Sequence, residues 1–171
     1  QEMVQKWETL PKDIQWHMIG HVQRNKVKYM APFVSLIHGV DSFRLLKEIN
    51  KQAEKHDRVI DCLLQMHIAK EETKSGLDDE ELEALLTDSE FSNLKNVRIV
   101  GLMGMATFTD NQDQIQSEFA YLKSKYDWVA KQLPEINTLS MGMSGDYAIA
   151  IDEGSTMVRI GSSIFGSRQY T

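Results

Sequence analysis

The stretch "NTLSMGMSGDYAIAIDEGSTMVRIGSSIF", residues 137–165, contains two short apolar runs joined by a segment of helical composition. Both runs, 137–143 and 157–165, are largely apolar rather than alternating, which is typical of strands in a parallel sheet covered on both faces. Parallel neighbours need a crossover connection, and "GDYAIAIDEG" has the composition of a helix that ends at a glycine, Gly154. The stretch therefore predicts a β-α-β unit.

The same alternation continues towards the amino terminus. Four further strands are predicted, in "IQWHMIG" from Ile14, "VSLIHGV" from Val34, "VIDCLLQMHI" from Val59 and "VRIVGLMGM" from Val97. Helical segments separate them: "HVQRNKVKYMAP", "DSFRLLKEINKQAEKH", "LDDEELEALL" and "DQIQSEFAYLKSKYDWVAKQLP". Strands that alternate with helices in this way indicate an α/β fold.

The length of the repeating unit narrows the fold class. Six units in 171 residues give about 28 residues per unit, which suits a (β/α)8 barrel of TIM type or a doubly wound sheet. A barrel is preferred because the last two strands lead into turns of small residues, where barrels often bind phosphate. Eight units would need roughly 225 residues, so we predict a single domain over residues 1–171 that forms an incomplete barrel of about six β-α units.

Composition limits the possible partners. The net charge of −6 and the pI of about 5.4 argue against nucleic-acid binding. Lys and Arg do not form a run in the sequence, so a membrane surface is not predicted as a partner. The single cysteine, Cys62, excludes an internal disulfide and fits a reducing compartment, so we expect a cytoplasmic location. No metal site is predicted, because His17 and His21 are expected to lie on a strand and in a loop, respectively.

The turn "LSMGMSGD" is the first candidate for ligand binding. Gly142 and Gly145 allow the backbone to approach a ligand closely, and Ser140 and Ser144 offer hydroxyl groups. The start of the following helix offers free N–H groups to an anion. The alternative interpretation is a tight strand-to-helix turn in which Ser144 is the N-cap of the helix.

The turn "RIGSSIFG" repeats this pattern on the last strand. Arg159 lies two positions before Gly161, so both residues point to the same side of the strand. A buried arginine must be paired. Its partner is either a carboxylate, Asp152 or Glu153, or an acceptor on a ligand.

Five motifs of this chain resemble the pyridoxal phosphate homeostasis proteins, a family similar to the amino-terminal barrel of alanine racemase. They are "WHMIGHVQRNK", "ETKSG", "GLMGM", "LSMGMSGDYAIAIDEGST" and "VRIGSSIFGSRQY". The resemblance implies a (β/α)8 barrel of the alanine racemase type that binds pyridoxal 5'-phosphate at the carboxyl ends of its strands. It also implies a non-catalytic carrier of this cofactor in intracellular vitamin B6 homeostasis, with enzymes that lack their cofactor as recipients; the alternative is a cofactor-dependent amino-acid racemase.

The resemblance also implies roles for residues in the two turns. Ser140 and the backbone of Gly161 and Ser162 would hold the phosphate, and Arg159 would face the pyridine nitrogen. A cation in that place keeps the nitrogen unprotonated and weakens the ring as an electron sink. The predicted cofactor-binding residues are Ser140, Met141, Gly142, Ser144, Arg159, Gly161 and Ser162.

The chain departs from the family pattern in three places. The Schiff-base lysine, which the family carries on its first barrel strand, is not present in this chain, so we expect bound cofactor to be non-covalent or absent. The second strand of the family is not found either. Two missing units match the deficit of about 50 residues between the 171 present and the roughly 225 that eight units need. His67 stands where the family usually has an asparagine. A third hypothesis is therefore a fragment that binds nothing.

Overall fold

The computed structural model describes residues 1–71 and 75–166. Residues 72–74 and 167–171, which include parts of two motifs quoted above, lie outside the described residues. The strands in the described part are β1 (Trp16–Met18), β2 (Val34–Val40), β3 (Ile60–Met66), β4 (Val97–Gly104), β5 (Thr138–Met143) and β6 (Met157–Arg159). The helices are α1 (Glu2–Thr9), α2 (Val27–Met30), α3 (Phe43–Glu54), α4 (Asp79–Thr87), α5 (Gln112–Ala130), α6 (Tyr147–Asp152) and α7 (Ser162–Phe165).

The strands follow one another in the sheet in the order of the sequence, from β1 to β6. The pairs β1–β2, β2–β3, β4–β5 and β5–β6 are parallel. A doubly wound sheet reverses its strand order at a switch point, whereas the strands of a (β/α)8 barrel keep the order of the sequence. The predicted barrel-type fold is therefore confirmed, and the doubly wound alternative is wrong.

All six predicted strands are present, although the first and the last are shorter than predicted. β1 contains only Trp16–Met18, and β6 ends at Arg159 because the chain turns at Gly161 into the short helix α7. Sequence analysis did not predict α1. This helix lies against the body of the protein through Trp7, whose ring stacks on that of Phe33 with centroids 4.5 Å apart.

Side-chain caps explain where the longer helices begin. The Ser42 hydroxyl accepts a hydrogen bond from the Leu45 N–H at the start of α3. Asp78 and Glu81 form a capping box at the start of α4, each carboxylate accepting from the other residue's backbone N–H. At the start of α5, the Asn111 side chain accepts from the Gln114 N–H. Local sequence therefore specifies these three starts.

The chain divides into two compact units. The first contains residues 1–65 and 76–99, and in it the apolar face of α3, with Leu45, Leu46 and Ile49, is buried. The second contains residues 66–75 and 100–171, and in it α5 contacts both β5 and α6 and buries Phe119 and Leu122 completely. The single domain predicted for residues 1–171 stays a prediction.

Helices able to cross a membrane do not occur in the described part of the chain, since none combines sufficient length with sufficient hydropathy.

Candidate functional site

Arg159 is the central side chain of the candidate site in the second unit. Its Nη1 donates to the Ser140 carbonyl oxygen (2.9 Å) and to Ser140 Oγ (2.7 Å), and its Nη2 donates to the Gly104 carbonyl oxygen (3.1 Å). The guanidinium therefore reaches from β6 past β5 to the end of β4. Burial lowers the pKa of Arg159 to about 10, and the charge of Asp146 opposes this shift, so the side chain remains a cation at neutral pH.

The partners of Arg159 differ from the carboxylates that the sequence offered. Its hydrogen bonds go to two carbonyl groups and one hydroxyl group, while the Glu153 carboxylate accepts from Gln116 Nε2 at 2.7 Å. Ser140 is fully buried and its hydroxyl contacts Arg159. In this structure Ser140 thus supports the arginine, and the phosphate contact predicted for it stays a prediction.

Ser144 joins the two turns that the sequence singled out. Its hydroxyl oxygen accepts from the Gly161 N–H at 3.3 Å and from the Ser163 N–H at 3.4 Å. The alternative interpretation, in which Ser144 caps the following helix, is wrong because the N-cap residue of α6 is Asp146. The Ser144 hydroxyl and the first N–H groups of the last turn therefore point at one another, an arrangement that suits an anion.

The predicted glycines fall into two groups. A Cβ atom on Gly142, where φ is +95°, would lie 2.6 Å from Ala150 Cβ, so this glycine is needed for the packing of α6 on β5. A Cβ on Gly145 or Gly161 would meet nothing within 4 Å, so there is open space beside both residues. Met141 is completely buried on β5. Of these residues, Gly145 and Gly161 border space in which a ligand could lie.

A pair of histidines in the first unit was not anticipated. His17 Nδ1 on β1 lies 3.1 Å from Nε2 of His38, a buried residue on β2, within hydrogen-bonding distance. The described residues contain no cluster of three or more His, Cys, Asp or Glu side chains that could hold a metal ion. The two rings lie together because β1 pairs with β2 in this register. The sequence alone did not predict the register.

We expect His17 to make stability depend on pH. Partial burial lowers its pKa below the ordinary value of 6.5, so below pH 6.5 the unfolded chain takes up a proton before the folded chain does. The free energy of unfolding should therefore decrease as the pH falls from 6.5 through the lowered value. Urea denaturation of wild type and of His17→Gln at several pH values tests this. Below pH 6.5 the free energy of unfolding should decrease more in the wild type than in the variant. Parallel profiles would contradict it.

The chain is similar to a known family model and to proteins of known name. The family model described as alanine racemase, N-terminal domain, matches residues 3–169. A pyridoxal phosphate homeostasis protein of Aquifex aeolicus is 40% identical over 176 residues, which cover 99% of this chain and 75% of that protein. A protein of the same name from Vibrio alginolyticus is 38% identical and is covered to 67% of its length, against 92% of this chain.

Solved structures are also similar to this chain. PipY of Synechococcus elongatus PCC7942, solved with pyridoxal phosphate bound, is 32% identical with a TM-score of 0.83, covering 95% of this chain and 74% of that chain. A protein of Bifidobacterium adolescentis is also 32% identical. That match covers 89% of this chain and 61% of the Bifidobacterium chain. Alanine racemase of Bartonella henselae, at 15% identity, a TM-score of 0.63 and coverage of 97% and 44%, shares the fold.

Proposed function

Because the chain belongs to the family of alanine racemase amino-terminal domains, we propose that it binds pyridoxal 5'-phosphate and serves as a non-catalytic carrier in intracellular vitamin B6 homeostasis. The observation that carries this proposal is that Ser144 Oγ accepts from the N–H groups of Gly161 and Ser163. The partly buried cation Arg159 lies two residues before Gly161 in the chain. The names of the relatives and the cofactor bound to PipY support it.

The residues present fit the phosphate of this cofactor. Ser144 Oγ lies 3.3 Å and 3.4 Å from the Gly161 and Ser163 nitrogens, which is long for hydrogen bonds, so these N–H groups can donate to an oxygen of a bound anion instead. The open space beside Gly145 and Gly161 leaves room for the phosphate to approach the backbone. Ser144, Gly161, Ser162 and Ser163 would thus hold the phosphate.

Arg159 decides what chemistry the ring could support. When bound, pyridoxal phosphate supplies an aldehyde and a ring that withdraws electrons best when its nitrogen is protonated. Arg159 is held in place by three hydrogen bonds and stays charged at neutral pH, so a ring nitrogen that faces it is disfavoured from taking up a proton. This supports storage and transport of the cofactor rather than racemisation, and enzymes that lack their cofactor would be the recipients.

A comparison of two ligands tests the phosphate site. Pyridoxal phosphate should bind at least tenfold more tightly than pyridoxal, because only the former offers charged acceptors to the N–H groups. Inorganic phosphate should compete with it. Isothermal titration calorimetry on the 171-residue chain measures all three. Equal affinity for pyridoxal and pyridoxal phosphate would contradict the proposal.

Ser144→Ala is the matching variant. It removes the hydroxyl that the Gly161 and Ser163 N–H groups contact, and with it one hydrogen bond to the phosphate, so we expect affinity for pyridoxal phosphate to decrease about three- to tenfold. Ser117→Ala on the exposed surface of α5 is the control, and it should bind like wild type. A loss of equal size in both variants would speak against a direct contact by Ser144.

A further inference from the structure

A buried carboxylate in the second unit has no part in the site described above. Glu118 on α5 is 5% exposed, and its carboxylate accepts from the Thr107 N–H at 2.6 Å, from Thr107 Oγ1 at 2.7 Å and from Gln114 Nε2 at 3.0 Å. Thr107 lies in the segment between β4 and α5. Glu118 therefore ties that segment to the helix that follows it.

The same hydrogen bonds continue to the residues after β3. The Lys70 N–H donates to Thr107 Oγ1 at 3.0 Å, and that hydroxyl in turn donates to Glu118. Nearby, Glu71 Oε1 accepts from the Phe108 N–H at 2.9 Å, although the Phe108 side chain is 96% exposed. Hydrogen bonds, rather than burial of Phe108, thus hold the chain at this point. We call Lys70, Thr107 and Glu118 the Glu118 relay.

The ionised form of Glu118 suits its place in the relay. Burial alone would raise the pKa of this carboxyl, but the hydrogen bonds from Thr107, Gln114 and the Lys70 backbone outweigh burial and lower the pKa. An ionised carboxylate accepts at both oxygens and donates at neither. It can therefore accept from the Thr107 N–H and hydroxyl at once, which leaves the hydroxyl oxygen able to accept from Lys70.

The relay borders the residues that hold Arg159. Gly104, the last residue of β4, offers its carbonyl oxygen to Arg159 Nη2, and Thr107 follows it closely in the chain. A Cβ on Gly104 would lie 2.7 Å from Leu122 Cδ2 and 2.9 Å from Ile68 Cδ1, so α5 and the residues after β3 both pack closely against it. A shift of the chain at Thr107 would consequently move an acceptor of Arg159.

We propose that Glu118 is a positioning residue: through Thr107 it fixes the chain after β4 so that the Gly104 carbonyl stays within reach of Arg159, and it thereby sets how long pyridoxal phosphate remains bound. The inference rests on the proposed function, and it adds residues outside the cofactor contacts. The Glu118 carboxylate is a buried acceptor, and the loss of one of its hydrogen bonds leaves a buried polar group without that partner.

Two variants of Thr107 distinguish the effect of the hydroxyl group from the effect of side-chain size. Thr107→Val removes both hydroxyl bonds at nearly constant shape, whereas Thr107→Ser keeps the hydroxyl. We expect the dissociation rate of pyridoxal phosphate, measured by stopped-flow absorbance, to rise about three- to tenfold in Thr107→Val and to stay near wild type in Thr107→Ser. Backbone amide exchange at Lys70 should increase in Thr107→Val and recover in Thr107→Ser.

Glu118→Gln gives a second measurement at the other end of the relay. One carboxylate oxygen becomes an NH2 group, so a donor then faces either the Thr107 N–H or Gln114 Nε2, while helix propensity is nearly unchanged. Dissociation should again become faster by a similar factor. If this variant does not fold, the Thr107 pair still decides the matter.

Three outcomes would overturn the inference. Unchanged dissociation in Thr107→Val overturns it directly, and so does a Thr107→Ser variant that is as impaired as Thr107→Val, because the hydroxyl would then not be the group that matters. A wild-type chain that does not bind pyridoxal phosphate would contradict the proposed function and this inference together. The measurement on the wild type thus distinguishes the two failures.

Discussion

Replacing Arg159 with alanine is expected to weaken pyridoxal phosphate binding by roughly ten- to hundredfold, the effect of losing a hydrogen bond from a charged group. The substitution removes the partly buried cation and leaves the Ser140 and Gly104 carbonyl groups without this donor. The fold should persist, because β5 and β6 remain joined by their backbone pairing. Calorimetric titration gives the affinity, and circular dichroism checks the fold.

Two further arginine variants make this result specific. Arg159→Lys keeps the charge but not the planar set of donors, so its affinity should lie between those of wild type and Arg159→Ala. Arg98→Ala removes an arginine whose ion pair with Asp61 lies at the surface of the first unit, and it should bind like wild type. Unchanged cofactor affinity in Arg159→Ala would show that the guanidinium does not face the cofactor.

The largest effect on stability is expected from Gly101→Ala. A Cβ on Gly101 would lie 1.6 Å from the Thr138 carbonyl oxygen, an atom of the backbone of the paired strand β5. A backbone atom cannot move away by changing a rotamer, so β4 and β5 would have to separate. We expect the free energy of unfolding to decrease by at least about 3 kcal/mol, or no folded protein to be obtained.

Gly145→Ala is the matched control for this prediction, because a Cβ there meets nothing within 4 Å. Its unfolding free energy should stay within about 0.5 kcal/mol of wild type. Urea denaturation followed by circular dichroism measures both variants. A Gly101→Ala protein as stable as the control would mean that β4 and β5 can pair at a greater separation than in this structure.

The fold could be predicted from the sequence because its signals are local. Each apolar run is a strand, and the caps at Ser42 and Asp78 lie beside the helices that they start. The rule that a buried arginine must be paired also predicted that Arg159 has hydrogen-bond partners, but not that these are groups on β4 and β5. Periodicity and capping depend on neighbours in the chain, so a single sequence contains them.

The remaining features depend on residues that are far apart in the sequence. Arg159 contacts Gly104, and Lys70 contacts Thr107, through bonds between different β-α units that no local pattern encodes. The burial of Ser140 could not be predicted from its neighbours either, since a serine in a turn with two glycines resembles a ligand contact. The signal for Glu118 was its position beside Phe119 on the apolar face of α5, where a charged residue needs a partner.

Arg159 has a consequence for the kinetics of a carrier. Its guanidinium is held by carbonyl groups of the protein itself, so its position does not depend on a bound molecule. A preorganised site of this kind loses little conformational entropy when it is filled, and it needs little rearrangement when it is emptied. Uptake and release can then both be rapid at a given affinity, which suits a protein that lends a reactive molecule rather than keeping it.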